Sequence, residues 1–108
     1  MPDVEQLVGT SFVLLAYLAE KSKKTGQSAF PREEVMSDFR KIRTACKDTH
    51  LLDPDVYLNG CLDALKNPLS LVDYDAESIS ICQLGVAFGE KRKIPGNCRR
   101  YISKEWGN

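Results

Sequence analysis

The chain of 108 residues carries 15 Lys+Arg against 15 Asp+Glu, one His, four Cys and 43% apolar residues, so its formal charge near neutrality is zero. Such a length and apolar fraction suit one globular domain whose core needs no metal or disulfide staple, and they exclude a disordered or collagen-like chain. The longest apolar run, Phe12 to Ala19, is less than half of the roughly 20 residues that span a bilayer, and the acidic opening MPDVEQ has no secretory-signal pattern; a cytoplasmic location with no membrane partner is the expectation.

In chain order, Val4, Leu7, Val8, Phe12, Leu15 and Ala19, widened by Leu14 and Leu18, give the apolar spacing of a helix over about 4–23. Val13, Ala16 and Tyr17 make its middle apolar nearly all round, which requires central burial or a partner on the far side. Lys21, Lys23 and Lys24 complement the helix dipole, and Gly26 supplies the stop. Pro31 suits the first position of a second helix over about 31–47, with Glu33 and Glu34 in its first turn and Val35, Phe39, Ile42 and Cys46 as its apolar stripe. Asp53-Pro54 reads as N-cap and N1 of a third helix over about 54–66, with Tyr57, Leu58, Cys61, Leu62 and Leu65 on one face and an end forced before Pro68.

The period then changes to two. Leu69 and Leu71 alternate with Ser70, and Ile79 and Ile81 with Ser78 and Ser80, so a hairpin is predicted over about 69–82 with the polar connector Asp73 to Glu77. Leu84, Ala87 and Phe88 return to helical spacing over about 84–91, where Gly85 and Gly89 weaken the pattern. Ile94-Pro95-Gly96 is a break, Asn97 an N-cap, and Cys98, Ile102 and Trp106 mark a last helix over about 97–106. The fold class is mainly α with a small β-hairpin, an α+β domain over 1–108.

Cys46, Cys61, Cys82 and Cys98 are widely spaced, with no C-x-x-C pair, so no metal site is indicated and no cofactor is called for. In a reducing compartment they read as four separate buried thiols. The single His50 lies beside Leu51 and Leu52 without an orienting partner and reads as a capping or packing residue. No G-x-S-x-G, phosphate-cradling glycine loop or H-E-x-x-H is present, and the chain is not expected to be an enzyme.

The order helix, helix, helix, hairpin, helix resembles a winged-helix domain. The resemblance is carried mostly by Leu62-Asp63-Ala64-Leu65 leading into Leu69-Ser70-Leu71-Val72, and by Ile79-Ser80-Ile81-Cys82-Gln83-Leu84-Gly85, a pattern similar to that of MarR-type and PadR-type regulators. It covers about four-fifths of the chain, and it implies double-stranded DNA as the partner.

Charge complicates the standard docking mode, in which the third helix and the wing face phosphates. Asp53, Asp55 and Asp63 on the third helix and Asp73, Asp75 and Glu77 on the connector are acidic with only Lys66 among them, whereas the basic blocks lie before and after, so neutrality is a cancellation. Asn59 has the chemistry to read an adenine edge, but beside Gly60 it more simply reads as polar surface.

Two readings follow. The first is a small DNA-associated regulator bound in a non-standard pose through Arg40, Lys41 and Arg43 of the second helix and Lys91, Arg92, Lys93, Arg99, Arg100 and Lys104 of the tail. The second is a protein-interaction module that meets a basic partner through Asp55, Asp63, Asp73, Asp75 and Glu77. In either case Val13, Tyr17, Tyr101 and Trp106 are the expected seam of a homodimer. The plainer reading of the tail is a solvated basic face whose aromatic residues dock on the core.

Overall fold

A computed structural model describes residues 4–47 and 53–107, with side chains from Val8 onward; His50, Leu51 and Leu52 lie outside the described residues. The chain is an α+β fold in the order α1 (Val4–Thr25), β1 (Ala29–Pro31), α2 (Arg32–Ala45), α3 (Pro54–Lys66), β2 (Val72–Tyr74), β3 (Ser78–Ile81), α4 (Gln83–Lys91) and α5 (Gly96–Trp106). The strands form one antiparallel sheet in the order β1-β3-β2. Among the described residues, no helix is long and apolar enough to cross a membrane.

Helix α1 is the axis of the molecule. Leu14 to Ala19 are fully buried, and α3, α4 and α5 all pack on α1, so its all-round apolar middle is covered within the chain. It ends as the sequence requires: Gly26 takes φ +73° and its amide donates to the Ser22 carbonyl at 2.8 Å.

The sheet holds a strand that the sequence pattern did not show. Phe30 of β1 lies opposite Ile79 of β3 and is buried between exposed Ala29 and Pro31. Three residues are too few to display a period of two. Pro31 is tolerated because β1 is an edge strand, where the missing amide breaks no ladder. As a result Pro31 precedes α2 as its cap residue instead of opening it, and the Arg32 amide donates to the Glu77 carbonyl at 2.8 Å. At its far end α2 stops at Ala45, before the expected 47, because Lys47 turns to φ +58°.

Helix α3 has the expected bounds. The Asp53 carboxylate accepts from the Asp55 and Val56 amides at 2.9 and 3.4 Å, satisfying free N–H groups of the first turn. The hairpin is shorter than the alternation suggested. Ser70 takes φ +55°, and the Ser70 and Leu71 amides donate back to the carbonyls of Lys66 and Leu65. Leu69 is therefore left exposed and the strand begins only at Val72. In the connector the Asp75 carboxylate accepts from the Glu77 and Ser78 amides at 2.7 and 2.8 Å, which fixes the turn.

The last two helices correct two local readings. Pro95, not Asn97, precedes α5 as its cap residue, and Asn97 lies inside the helix. Gly85 and Gly89 are not defects in α4: both are buried, and the glycines let the helix approach its neighbours closely. A Cβ on Gly89 would lie 2.9 Å from the Ala19 Cβ and the Leu15 carbonyl oxygen, both on α1. Gly89→Ala is therefore expected to destabilise by about 1–3 kcal/mol through overpacking. Gly9→Ala, where nothing lies within 4 Å of the new methyl, is expected to stabilise α1 by up to about 1 kcal/mol. Urea denaturation of the two variants should show midpoints displaced in opposite directions.

Candidate nucleic-acid interface

The nine cations proposed from the sequence fall into two groups. Three hold the fold together. The Arg43 guanidinium lies 4.3 Å from the Tyr57 ring centroid and 5.9 Å from that of Phe39, and Arg92 lies 4.2 Å above Phe12, placements that favour a cation over an aromatic face. Arg99 donates through Nη2 to the Arg92 carbonyl at 2.8 Å and to the Gly89 carbonyl at 3.4 Å, tying α5 to the end of α4. The other six, Arg40 and Lys41 on α2, Lys91 and Lys93 around the end of α4, and Arg100 and Lys104 on α5, are exposed. Among the described residues none of these six makes a side-chain hydrogen bond or an ion pair; Arg40 takes part only through its carbonyl, which accepts from the Thr44 hydroxyl at 3.0 Å. Helices α2 and α5, which carry four of them, pack against each other.

The acidic residues are differently placed. Asp55 lies 3.7 Å from Arg32, and Asp63 accepts the Tyr74 hydroxyl, a bond that raises the Tyr74 pKa. Asp73 pairs with Lys66 at 2.9 Å, which lowers its pKa. Asp75 is lowered in turn by the Glu77 and Ser78 amides that it accepts in the connector. Among the described residues Glu77 alone of the five has no side-chain partner, and it stands exposed on the connector. Asn59 accepts from Arg32 Nη2 at 2.5 Å, so its carbonyl end is engaged. Asp55, Asn59 and Asp75 border an open groove of about 820 Å³ between α2, α3 and the connector, lined also by Arg32, Met36, Arg40 and Tyr74.

The expected dimer seam is corrected in part. Val13 and Tyr17 are buried within the chain at 6% and 0% exposure, so a second subunit has no access to them. Trp106 packs its ring edge-on to Tyr17 at 4.7 Å, and Tyr101 stands 5.9 Å from Trp106; the tail aromatics dock on the core. The cysteines also depart from four isolated thiols. Cys46 and Cys98 form a disulfide across 5.3 Å between Cα atoms, while Cys61 is free and buried and Cys82 is free and exposed. Among the described residues no cluster of three or more His, Cys, Asp or Glu is placed to hold a metal ion.

A buried ionic cluster was hidden in the sequence, where Lys21 reads only as a helix-end cation. The Lys21 ammonium lies 2.9 Å from Asp38 and 2.8 Å from Glu34, and the Tyr17 hydroxyl donates to the same Asp38 oxygen at 2.6 Å. Burial works against the Lys21 charge, but hydrogen bonds and attraction from Glu34 and Asp38 outweigh it and raise its pKa. Burial, then Asp38, raises the Tyr17 pKa far above its ordinary value. Lys21, Asp38 and Tyr17 line neither the α2–α3 groove nor the cavity beside the disulfide. Their arrangement serves packing.

Compared with protein-family models, with curated proteins and with solved structures, the chain has no match.

Because the folded pKa values of Lys21 and Tyr17 are both raised, their contribution to stability is complete below about pH 10 and is lost as pH rises through the folded values. The melting temperature is expected to fall above about pH 10. Tyr17→Phe is expected to lower stability at neutral pH by about 1–3 kcal/mol, since Asp38 loses a donor, and to flatten the alkaline decline. Thermal melts from pH 7 to 11 on the two proteins check both outcomes.

Proposed function

We propose that this chain is a small winged-helix DNA-associated regulatory protein without catalytic activity, working in the cytoplasm. The architecture is supported by the order of three helices followed by an antiparallel hairpin and further helices, with the sheet order β1-β3-β2. The observation that carries the reading is the asymmetry of charge engagement. The acids of α3 and the wing are largely engaged within the chain, whereas Arg40, Lys41, Lys91, Lys93, Arg100 and Lys104 are exposed without ion pairs among the described residues. Unpaired cations are what displace counterions from a phosphate backbone.

Contact through α2, α5 and the end of α4 replaces insertion of α3 into the major groove. The exposed Arg100 and Lys104 side chains of α5 suit backbone contact more than base reading. A homodimer would have to use surfaces other than Val13 and Tyr17. A second reading, a protein partner seated between α2, α3 and the wing, is favoured by the mixed-charge groove there.

Fluorescence anisotropy with a mixed-sequence duplex tests the proposal. Binding is expected at low salt, weakening as log[salt] rises, with the slope reduced by about 0.9 for each phosphate contact removed in Arg40→Ala, Arg100→Ala or Lys104→Ala. Arg99→Ala is unsuitable because that side chain holds α5 to α4. Absence of salt-sensitive binding at low micromolar protein would sink the DNA reading and leave the groove as the surface to pursue.

A further inference from the structure

We infer that Cys46 and Cys98 form a thiol–disulfide exchange site that takes a small dithiol as its reaction partner and sets how firmly α5 is docked on α2. The two cysteines are 52 positions apart in sequence, yet their Cα atoms lie 5.3 Å apart, within the span a disulfide demands. Cys46 follows the last residue of α2, and Cys98 lies in the first turn of α5. A cavity of about 290 Å³ opens on both, lined also by Arg43, Lys47 and Pro95. The bond is therefore reachable from solvent and is not sealed in the core.

The surroundings give the exchange a direction. Cys98 is 3% exposed, whereas Cys46 is half-buried, so an incoming thiolate meets the Cys46 sulfur first. Attack there forms a mixed disulfide on Cys46 and releases Cys98 as a thiolate. That anion is left at the N-terminal turn of a helix with two cationic side chains around the cavity, a setting that stabilises a thiolate. The second thiol of the dithiol then attacks its own sulfur in the mixed disulfide. It closes to a cyclic disulfide and leaves Cys46 as a thiolate; two electrons pass from the dithiol to the protein.

Loss of the bond removes the covalent tie between α2 and α5. Helix α5 is then held by burial of Cys98 and Ile102, by Trp106 against Tyr17, and by the two Arg99 hydrogen bonds. Local opening rises where few contacts oppose it. Since α5 carries Arg100 and Lys104, an effect on duplex binding rests on the function proposed above; the exchange step and the docking of α5 do not.

The full chain, oxidised with diamide and then reduced with dithiothreitol, tests this without any substitution. Alkylation and peptide mass spectrometry should show Cys46 and Cys98 changing state together, while Cys61 and Cys82 stay in one state throughout. Hydrogen exchange of the α5 amides should rise by about tenfold on reduction, and the double variant Cys46→Ser/Cys98→Ser should match the reduced protein without reductant. Cys46 and Cys98 remaining alkylatable after oxidation overturns the inference, as does equal α5 protection in the two states. Anisotropy in both states separates the two ideas: α5 loosened with duplex binding unchanged supports the exchange site and removes α5 from the duplex surface.

Discussion

The placement of an ammonium inside the molecule governs how the helices assemble. Lys21, on the last turns of α1, is only 7% exposed, and a cation so placed is tenable only with anionic partners in good geometry. Asp38 and Glu34 supply them one turn apart on α2, which fixes the rotation of α2 about its own axis. Tyr17, one turn earlier on α1, shares the same Asp38 oxygen, and Trp106 of α5 packs on the Tyr17 ring. The Phe30 ring of β1 lies 5.3 Å from the Lys21 ammonium. One buried charge thus sets the seats of α2, α5 and the entry to the sheet. Removing a single partner from such a cluster leaves a buried charge uncompensated, which is why these contacts act as a unit.

On the other side of α1 the constraint is steric. Gly89 brings the backbone of α4 against Leu15 and Ala19, and Gly85 brings it against the Leu71 carbonyl and the Ile81 side chain. The two glycines are one helical turn apart and share a face. The polar cluster and the glycine face therefore locate different neighbours around the same central helix. Arg99 then links the outer elements by donating to the Gly89 and Arg92 carbonyls at the end of α4. The termini of α4 and α5 are consequently part of the scaffold, while the exposed lysines between them are not.

Helix periodicity and some of the helix ends were legible because they depend on neighbours in sequence, although the caps of α2 and α5 fall on Pro31 and Pro95 instead of the residues expected. Asp53-Pro54, Gly26 and the stripe of α3 needed no tertiary information, and the elements they predict are present. What escaped the sequence depends on residues far apart along the chain. Strand β1 exists because Phe30 finds Ile79, not because three residues carry a pattern. The role of Lys21 requires Asp38, and the pairing of Cys46 requires Cys98. Likewise Gly85 and Gly89 lower helix propensity locally but gain close packing that only the partner helix reveals. For the site, the list of basic residues was legible from composition. Which of them hold the fold was not, since Arg43, Arg92 and Arg99 differ from Arg40 and Arg100 only in what lies beside them in space.

The zero net charge acquires a structural meaning from that division. Cations and anions are equal in number, but engagement is unequal across the surface. Acids on α3 and the β2–β3 connector hold a turn, a tyrosine hydroxyl, a lysine and an arginine. A phosphate approaching that side meets carboxylates whose partners are already in place. Under the proposed reading, a phosphate approaching α2 and α5 meets cations that form no ion pair among the described residues, although Arg40 shares its groove with Glu33, Asp55 and Asp75, and exchange of phosphate for water there breaks no existing pair. The favourable approach is therefore set by which charges the fold has already used, and sequence totals do not distinguish the two sides. Since α2 and α5 are joined at the Cys46–Cys98 bond, the relative position of those cations is fixed by the same contact that holds the tail helix in its seat.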